Sequence, residues 1–147
     1  MTKQKDKFHT TIVEVVKIAK VCSIVRPDYQ PPSVVDSAYQ PKIDLYLESV
    51  DQSSKFYKQM RSRFGWDFNS VAIEIHSPTS VKHFMGDLIN AALNGDVGLV
   101  VCPSQEEQKQ YERILRYIRH HGLISDKPYP LVVTAEEFIQ LLSGQKT

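Results

Sequence analysis

The sequence is poor in cysteine and glycine and has no long apolar run. Only two of its 147 residues are cysteine and six are glycine. Cys22 and Cys102 each lie in a short apolar run, which is typical of buried thiols. No glycine-rich phosphate loop is present, and this argues against nucleotide binding. No apolar stretch reaches the roughly 18 residues that a membrane-spanning helix needs, so the sequence predicts no transmembrane helix.

The charge balance is close to neutral, with a net charge of +1 at pH 7. A nucleic-acid-binding surface would therefore have to be local, because the chain as a whole is not basic. The hydrophobic content of 41% and the charged content of 24% are typical of folded globular proteins. We expect one domain over residues 1–147, with residues 1–8 as a flexible tail and residues 50–70 as an insertion between core strands. The N-terminus lacks a cleavable signal pattern, which favours a cytoplasmic location.

The spacing of apolar residues predicts helices and strands that alternate in the second half of the chain. A helical stripe predicts a first helix over residues 10–25, with a strand as the alternative because β-branched residues are frequent there. Pro27 and the pair Pro31–Pro32 break this element, and Val34–Val35 begins a short strand. The later elements are strands over 43–48, 71–76, 97–102 and 130–133, and helices over 80–95, 104–120 and from 134 onward, the last two opened by capping boxes at Ser104–Glu107 and Thr134–Glu137. This alternation implies βαβ units with parallel pairing, and therefore an α/β fold.

Two of the predicted strands carry acidic residues on one face. Along the first strand, Ile43, Leu45 and Leu47 alternate with Asp44, Tyr46 and Glu48. Along the second, Val71, Ile73 and Ile75 alternate with Ala72, Glu74 and His76. Strict alternation is typical of a strand with one apolar and one polar face. Carboxylates on the polar faces of neighbouring strands could hold a hard divalent cation through their oxygens. The alternative is a set of ordinary solvated carboxylates.

An acid near the start of one strand and a Glu-x-His on a later strand, followed by a helix and a further strand, resembles the pattern of the PD-(D/E)xK superfamily of restriction-endonuclease-like nucleases. Pro41 and Asp44 stand here for the adjacent Pro-Asp pair of that family. The resemblance implies a three-layer α/β/α core with a mixed central sheet and, in this chain, a C-terminal α-β-α extension. It also implies a metal-dependent endonuclease that hydrolyses DNA phosphodiester bonds with Mg²⁺ or Mn²⁺.

The same resemblance assigns a metal site. Asp44 and Glu74 would bind the ion, and Ile75 would supply its backbone carbonyl. Glu14 on the first helix is a further metal-ligand candidate, as in relatives whose first helix supplies a glutamate, and a partly buried structural role is the alternative. Zinc-site spacing to cysteine or other histidines is absent around His76, His83, His120 and His121.

The departure from the family pattern is His76, which stands where the family has a lysine. Histidine is mostly neutral at pH 7 because its unperturbed pKa is about 6.5, yet it can act as a general base or hydrogen-bond a phosphate. Lys82, early in the next predicted helix, is the alternative because its long side chain could reach back to the site. In a third interpretation the site is catalytically inactive, and the scaffold binds nucleic acid or a protein partner. A small α/β regulatory or ligand-binding domain unrelated to nucleases is a further alternative.

The connection over residues 50–70 interleaves basic and aromatic side chains. The predicted nucleic-acid-binding residues are Lys55, Lys58, Arg61, Arg63 and Trp66, which lie among Phe56, Tyr57 and Phe64. Basic groups can neutralise phosphates while aromatic faces stack on exposed bases. The alternative is a solvated helix whose aromatic residues pack on the core. A second basic stripe, formed by Lys109, Arg113, Arg116 and His120, is typical of a solvated helix face. One active site per chain implies a homodimer if both strands of DNA are cut.

Overall fold

The computed structural model of the protein describes residues 7–31, 41–77 and 84–144. Within these ranges the chain forms five helices and five strands. In chain order the elements are α1 (Lys7–Ala19), β1 (Cys22–Tyr29), β2 (Ile43–Val50), α2 (Lys55–Phe64), β3 (Ser70–Ile75), α3 (Phe84–Leu93), β4 (Val97–Cys102), α4 (Gln105–His120), β5 (Leu131–Thr134) and α5 (Ala135–Leu142). None of the helices in this part of the chain is both long enough and apolar enough to cross a membrane.

The five strands form one mixed sheet in which the spatial order is the same as the chain order. The pairs β1–β2 and β2–β3 are antiparallel, whereas β3–β4 and β4–β5 are parallel. A parallel pair requires a crossover connection, and α3 and α4 supply the two crossovers. The predicted α/β class, the mixed sheet and the alternation of strands with helices in the second half of the chain are confirmed.

Helices cover both faces of the sheet. On one face α1, α2 and α5 pack against the apolar side chains at alternate positions of β2, β3 and β4, such as Leu45, Ile73 and Leu99. On the other face α3 and α4 pack against Val100 and Cys102 of β4 and against β5. The alternation predicted along β2 and β3 is therefore real, and the polar positions of these strands face the side of α3 and α4.

The prediction of one helix over residues 10–25 is wrong in its second half. Helix α1 ends at Ala19, Lys20 has a positive φ of 54°, and β1 begins at Cys22. Pro27 lies inside β1, which an edge strand tolerates because one row of its N–H groups needs no ladder partner. At the other end, α1 begins at Lys7, so the last two residues of the predicted tail are helical. The strand predicted at 34–35 lies outside the described residues.

The connection over residues 50–70 contains a helix that belongs to the core. Ser54 caps α2 by accepting a hydrogen bond from the backbone N–H of Tyr57, and Gly65 ends the helix in the left-handed conformation with a φ of 73°. Phe56 and Met60 are almost fully buried against the other helices of that face. The aromatic residues of this segment therefore differ in burial. Phe56 packs into the core, whereas Trp66 keeps 49% of its surface exposed.

The two predicted capping boxes have different outcomes. At α5 both hydrogen bonds are present: the Thr134 hydroxyl accepts from the backbone N–H of Glu137, and the Glu137 carboxylate accepts from the backbone N–H of Thr134. At α4 the Ser104 side chain accepts no hydrogen bond from the helix backbone. The Ser104 hydroxyl donates to the Glu107 carboxylate instead, so this predicted box does not form. The predicted start of α3 at residue 80 lies outside the described residues.

Candidate active site

Asp44 and Glu74 lie opposite each other where the β2–β3 ladder ends. The last paired residues on this side are Leu45 and Ile73, so the register places Asp44 across from Glu74. The backbone N–H of Asp44 donates to Glu74 Oε1 at 3.3 Å, and the backbone N–H of Ile75 donates to Asp44 Oδ2 at 2.8 Å. These two hydrogen bonds bring the carboxyl groups of Asp44 and Glu74 side by side. The pair is therefore close enough to bind one divalent cation together.

Burial and neighbouring charge keep a proton on this pair. Only 6% of Glu74 is exposed. Loss of solvent, followed by the negative charges of Asp44 and Asp87, raises the pKa of Glu74 to about 9. Ionising two adjacent carboxyl groups at once has a large cost in free energy unless a positive charge lies between them. A proton supplies that positive charge in the metal-free protein, and a divalent cation would be a stronger substitute for it.

A third carboxylate and an imidazole lie beside Asp44. The β1–β2 register pairs Pro27 with Leu45 and Tyr29 with Ile43, which places Asp28 across from Asp44. Asp28, Asp44 and Glu74 therefore form a row across three neighbouring strands. One ligand atom each of His9, Asp28 and Asp44 lie within 4.8 Å of one another. A set of one imidazole and two carboxylates, with Glu74 adjoining, fits a divalent cation of the manganese or zinc type as well as magnesium.

The other residues assigned to the metal site are placed differently. The side chain of Ile75 is buried in the core, but its carbonyl points toward β2 because its N–H bonds to Asp44, and the N–H and C=O of a strand residue face the same neighbour. Glu14 lies on the exposed side of α1, outside the cluster that contains His9. Lys82 lies outside the described residues. Helix α1 thus reaches the site through a histidine.

His76 lies on the same sheet face as Glu74, as the strand alternation predicts. It is 7% exposed and packs between Phe84 of α3 and Tyr111 of α4, with ring centroids 5.6 Å away in each case. His76 Nδ1 lies 2.9 Å from the hydroxyl oxygen of Tyr111, and this hydroxyl donates to Asp87 Oδ2 at 2.7 Å. The imidazole is therefore held by a chain of hydrogen bonds that ends on α3.

The remaining polar positions of β2 make contacts within the sheet. Glu48 forms an ion pair with Arg26 of β1 at 3.0 Å. Tyr46 stacks on Tyr29 with 4.8 Å between ring centroids. Both side chains share the face of Asp44, so they extend the surface that begins at the acidic row.

The predicted nucleic-acid-binding residues of α2 are not brought to the acidic row. Helix α2 follows the end of β2 that is far from Asp44, about 20 Å along the strand, and it packs on the opposite face of the sheet. Lys55 Nζ donates to the carbonyls of Gln140 and Ser143, and Arg61 forms an ion pair with Asp67 at 2.7 Å. The exposed basic side chains of this helix are those of Lys58, Arg61 and Arg63, and Arg61 is the one in the ion pair.

Four residues of this region are absent from the sequence-based assignment: His9, Asp28, Asp87 and Tyr111. Asp28 had a signal in the sequence, because Pro27–Asp28 is a literal Pro-Asp pair. The pair was not assigned to the site, because the predicted helix over residues 10–25 left no strand at this position. His9 and Asp87 carry no comparable signal, since polar residues on helices are usually solvated. Tyr111 lies within the predicted helix over 104–120, and only the fold shows which groups its hydroxyl meets.

No protein-family model, curated protein or solved structure matches this chain.

Proposed function

We propose that the protein is a metal-dependent nuclease that hydrolyses DNA phosphodiester bonds. The observation that carries the proposal is the pair of hydrogen bonds that joins Asp44 and Glu74, whose carboxyl groups come from different strands and are both oriented by backbone N–H groups. The arrangement of an acidic strand, a Glu-bearing strand, a helix and a parallel strand in a three-layer fold supports it, because this is the layout that the resemblance to PD-(D/E)xK nucleases implies.

The metal ligands would be Asp44 and Glu74, with His9 and Asp28 beside them and the carbonyl of Ile75 on the same side. A bound Mg²⁺ or Mn²⁺ ion would polarise the scissile phosphate and lower the pKa of a water molecule. The protein's own contribution is positional. The N–H of Ile75 fixes the Asp44 carboxylate, and the row of acids concentrates negative charge where a cation must lie.

His76 takes the place of the family's lysine in this proposal. Its position two residues after Glu74 on the same face puts the imidazole about 7 Å along the strand from the acidic row. A water molecule and a phosphate oxygen would span a separation of this size between the imidazole and the carboxylates. His76 would accept the proton of the attacking water.

A catalytically inactive module that binds nucleic acid or a protein partner is the second candidate. It is favoured by the burial of His76, which is 7% exposed, and by the separation of the exposed basic residues of α2 from the acidic row.

The test is cleavage of supercoiled plasmid DNA with Mg²⁺ or Mn²⁺, with and without a chelator. We expect nicking that requires the metal and is lost in both Asp44→Asn and Glu74→Gln, because an amide lacks the anionic oxygen that offsets the desolvation of the ion. Glu48→Gln is the matched control, since it changes a carboxylate on the same face of β2 that pairs with Arg26.

Cutting that persists in both site variants would overturn the proposal. DNA binding without cutting by the unmodified protein would favour the inactive module. Linear product formed in a single binding event would indicate a two-fold dimer.

A further inference from the structure

Three polar groups from three elements form a hydrogen-bonded chain behind the candidate site. His76 follows the end of β3, Tyr111 lies on α4, and Asp87 lies on α3. Tyr111 is fully buried, and it meets both His76 and Phe84 edge-on, with ring centroids 5.6 Å and 4.5 Å away. A buried tyrosine hydroxyl needs a hydrogen-bond partner, and here it has one on each side.

The direction of this chain determines where the imidazole proton lies. The hydroxyl of Tyr111 has one proton, which it donates to Asp87 Oδ2 at 2.7 Å. The contact of 2.9 Å between the Tyr111 oxygen and His76 Nδ1 must then have Nδ1 as the donor. In a neutral imidazole with its proton on Nδ1, the other ring nitrogen, Nε2, is an acceptor.

We infer that Tyr111 and Asp87 are positioning residues that hold His76 in the tautomer with the proton on Nδ1, so that Nε2 can accept a proton during phosphodiester hydrolysis. This inference rests on the proposed nuclease function. In the step concerned, the oxygen of the attacking water bonds to phosphorus, and its proton passes to Nε2. The bond from phosphorus to the leaving sugar oxygen breaks, and that oxygen takes a proton from solvent. His76 then returns its proton to solvent.

The tautomer can be measured without any activity, by long-range ¹H–¹⁵N correlation spectra of ¹⁵N-histidine-labelled protein at mildly alkaline pH, where an ordinary imidazole is neutral. In the unmodified protein we expect the proton of His76 on Nδ1. Tyr111→Phe removes the acceptor and should shift His76 toward the Nε2-protonated form that free imidazole prefers. Tyr117→Phe is the matched control, because Tyr117 lies on the same helix and is 53% exposed.

Variants of Asp87 separate positioning from packing. Asp87→Ala leaves His76 Nδ1 as the remaining hydrogen-bond partner of the Tyr111 hydroxyl among the residues that the structure describes, so the hydroxyl should donate to Nδ1 and the tautomer should reverse although Tyr111 is still present. Asp87→Asn keeps an acceptor oxygen and should preserve the Nδ1-protonated form. A His76 ring protonated on Nε2 in the unmodified protein would overturn the inference, as would an unchanged tautomer in both Tyr111→Phe and Asp87→Ala.

Kinetics then connect the tautomer to hydrolysis. Loss of a positioned proton acceptor typically costs about 10²–10⁴ in rate, so we expect kcat to fall by at least about 10-fold in Tyr111→Phe with the KM for DNA unchanged. The double variant with His76→Ala should be no slower than His76→Ala alone. An Nδ1-protonated His76 in a protein with no nuclease activity would leave the positioning intact and overturn the proposed function. Nuclease activity in a protein whose His76 is protonated on Nε2 would support the proposed function and overturn the positioning inference.

Discussion

Asp44 and Glu74 hold each other's strands through reciprocal hydrogen bonds, although thirty residues separate them in the chain. Glu74 Oε1 accepts from the backbone N–H of Asp44, and Asp44 Oδ2 accepts from the N–H of Ile75, which follows Glu74. These side-chain bonds replace the backbone ladder at the end of the β2–β3 pair. The arrangement places the buried Glu74 carboxyl group beside that of the half-buried Asp44, and the free-energy cost of this placement depends on pH.

The first prediction concerns stability against pH in the metal-free protein. The pKa of Glu74 is raised from 4.5 to about 9, so between these values the folded state binds more protons than the unfolded state. The free energy of unfolding should therefore fall as pH rises through this window, by up to about 1.4 kcal/mol per pH unit from this group alone. Glu74→Gln mimics the protonated form and should flatten that dependence.

Urea denaturation at several pH values between about 5 and 9 measures this effect. Glu48→Gln is the control, because Glu48 lies on the neighbouring strand β2 and pairs with Arg26 of β1, so this change should leave the slope unchanged. An equal pH slope in the unmodified protein and in Glu74→Gln would contradict the burial and charge argument.

The sequence was informative where regular periodicity and burial coincide. The run Val97–Cys102 predicts β4 with its observed bounds because both faces of that strand are covered. The alternation along β2 and β3 places Asp44, Glu74 and His76 on one face, because successive side chains of a strand point to opposite faces of the sheet. Thr134 and Glu137 fix the start of α5 through local hydrogen bonds, which a short stretch of sequence can encode.

The sequence was less informative about β1 and the groups that depend on it. This edge strand alternates between half-buried and exposed residues without a regular period, so its β-branched residues fit a helical stripe as well as a strand. Asp28 becomes a neighbour of Asp44 only through the β1–β2 register. Asp87 and Tyr111 meet because α3 and α4 pack side by side, a tertiary contact with no local signature.

The second prediction separates the two α1 residues that could act as metal ligands. His9 lies with Asp28 and Asp44, whereas Glu14 lies on the exposed side of the helix. His9→Ala should weaken Mn²⁺ binding by about tenfold or more and Mg²⁺ binding by less, because an imidazole ligand favours transition metals. Glu14→Ala should leave both affinities unchanged.

Isothermal titration calorimetry with each metal chloride measures the affinities directly. A larger loss of affinity in Glu14→Ala than in His9→Ala would support the sequence-based assignment of Glu14 and contradict the geometric one. Equal affinities in the two variants and the unmodified protein would remove α1 from the site.

The third prediction concerns the packing that holds Asp87 in place. A Cβ atom on Gly98 of β4 would lie 2.4 Å from the backbone of Ala91, so α3 approaches the sheet closely at this point. Gly98→Ala should therefore destabilise the protein by about 1–3 kcal/mol, because backbone must move to admit the methyl group. Gly86→Ala is the matched control on α3 itself, where a Cβ meets nothing within 4 Å.

The control variant should change the free energy of unfolding in the opposite direction. Alanine loses less conformational entropy than glycine in a helix, so Gly86→Ala should stabilise the protein by about 0.4–1 kcal/mol. Thermal and urea denaturation measure both variants. A neutral Gly98→Ala would mean that α3 can shift away from β4, and the position of Asp87 would then be adjustable.

The last prediction asks whether α2 contacts nucleic acid although it lies far from the acidic row. Lys58, Arg61 and Arg63 are exposed, but Arg61 forms an ion pair with Asp67. Lys55 is half-buried and donates to a carbonyl of α5. If the helix contacts DNA, replacing Lys58 and Arg63 together with alanine should lower the slope of log affinity on log salt by about two, since each lost phosphate contact lowers it by about one. The rate of cleavage at saturating DNA should be unchanged, because the helix is about 20 Å along the strand from Asp44.

The paired replacement of Arg113 and Arg116 on α4, which packs on the opposite face of the sheet, is the matched control. Binding titrations over a range of salt concentrations measure the slopes, and Trp66→Ala should weaken single-stranded DNA more than duplex because stacking needs exposed bases. If the α2 slope is unchanged and the α4 slope falls, the basic residues of α2 form a solvated surface and nucleic acid approaches from the side of α3 and α4, where Glu74 and His76 lie.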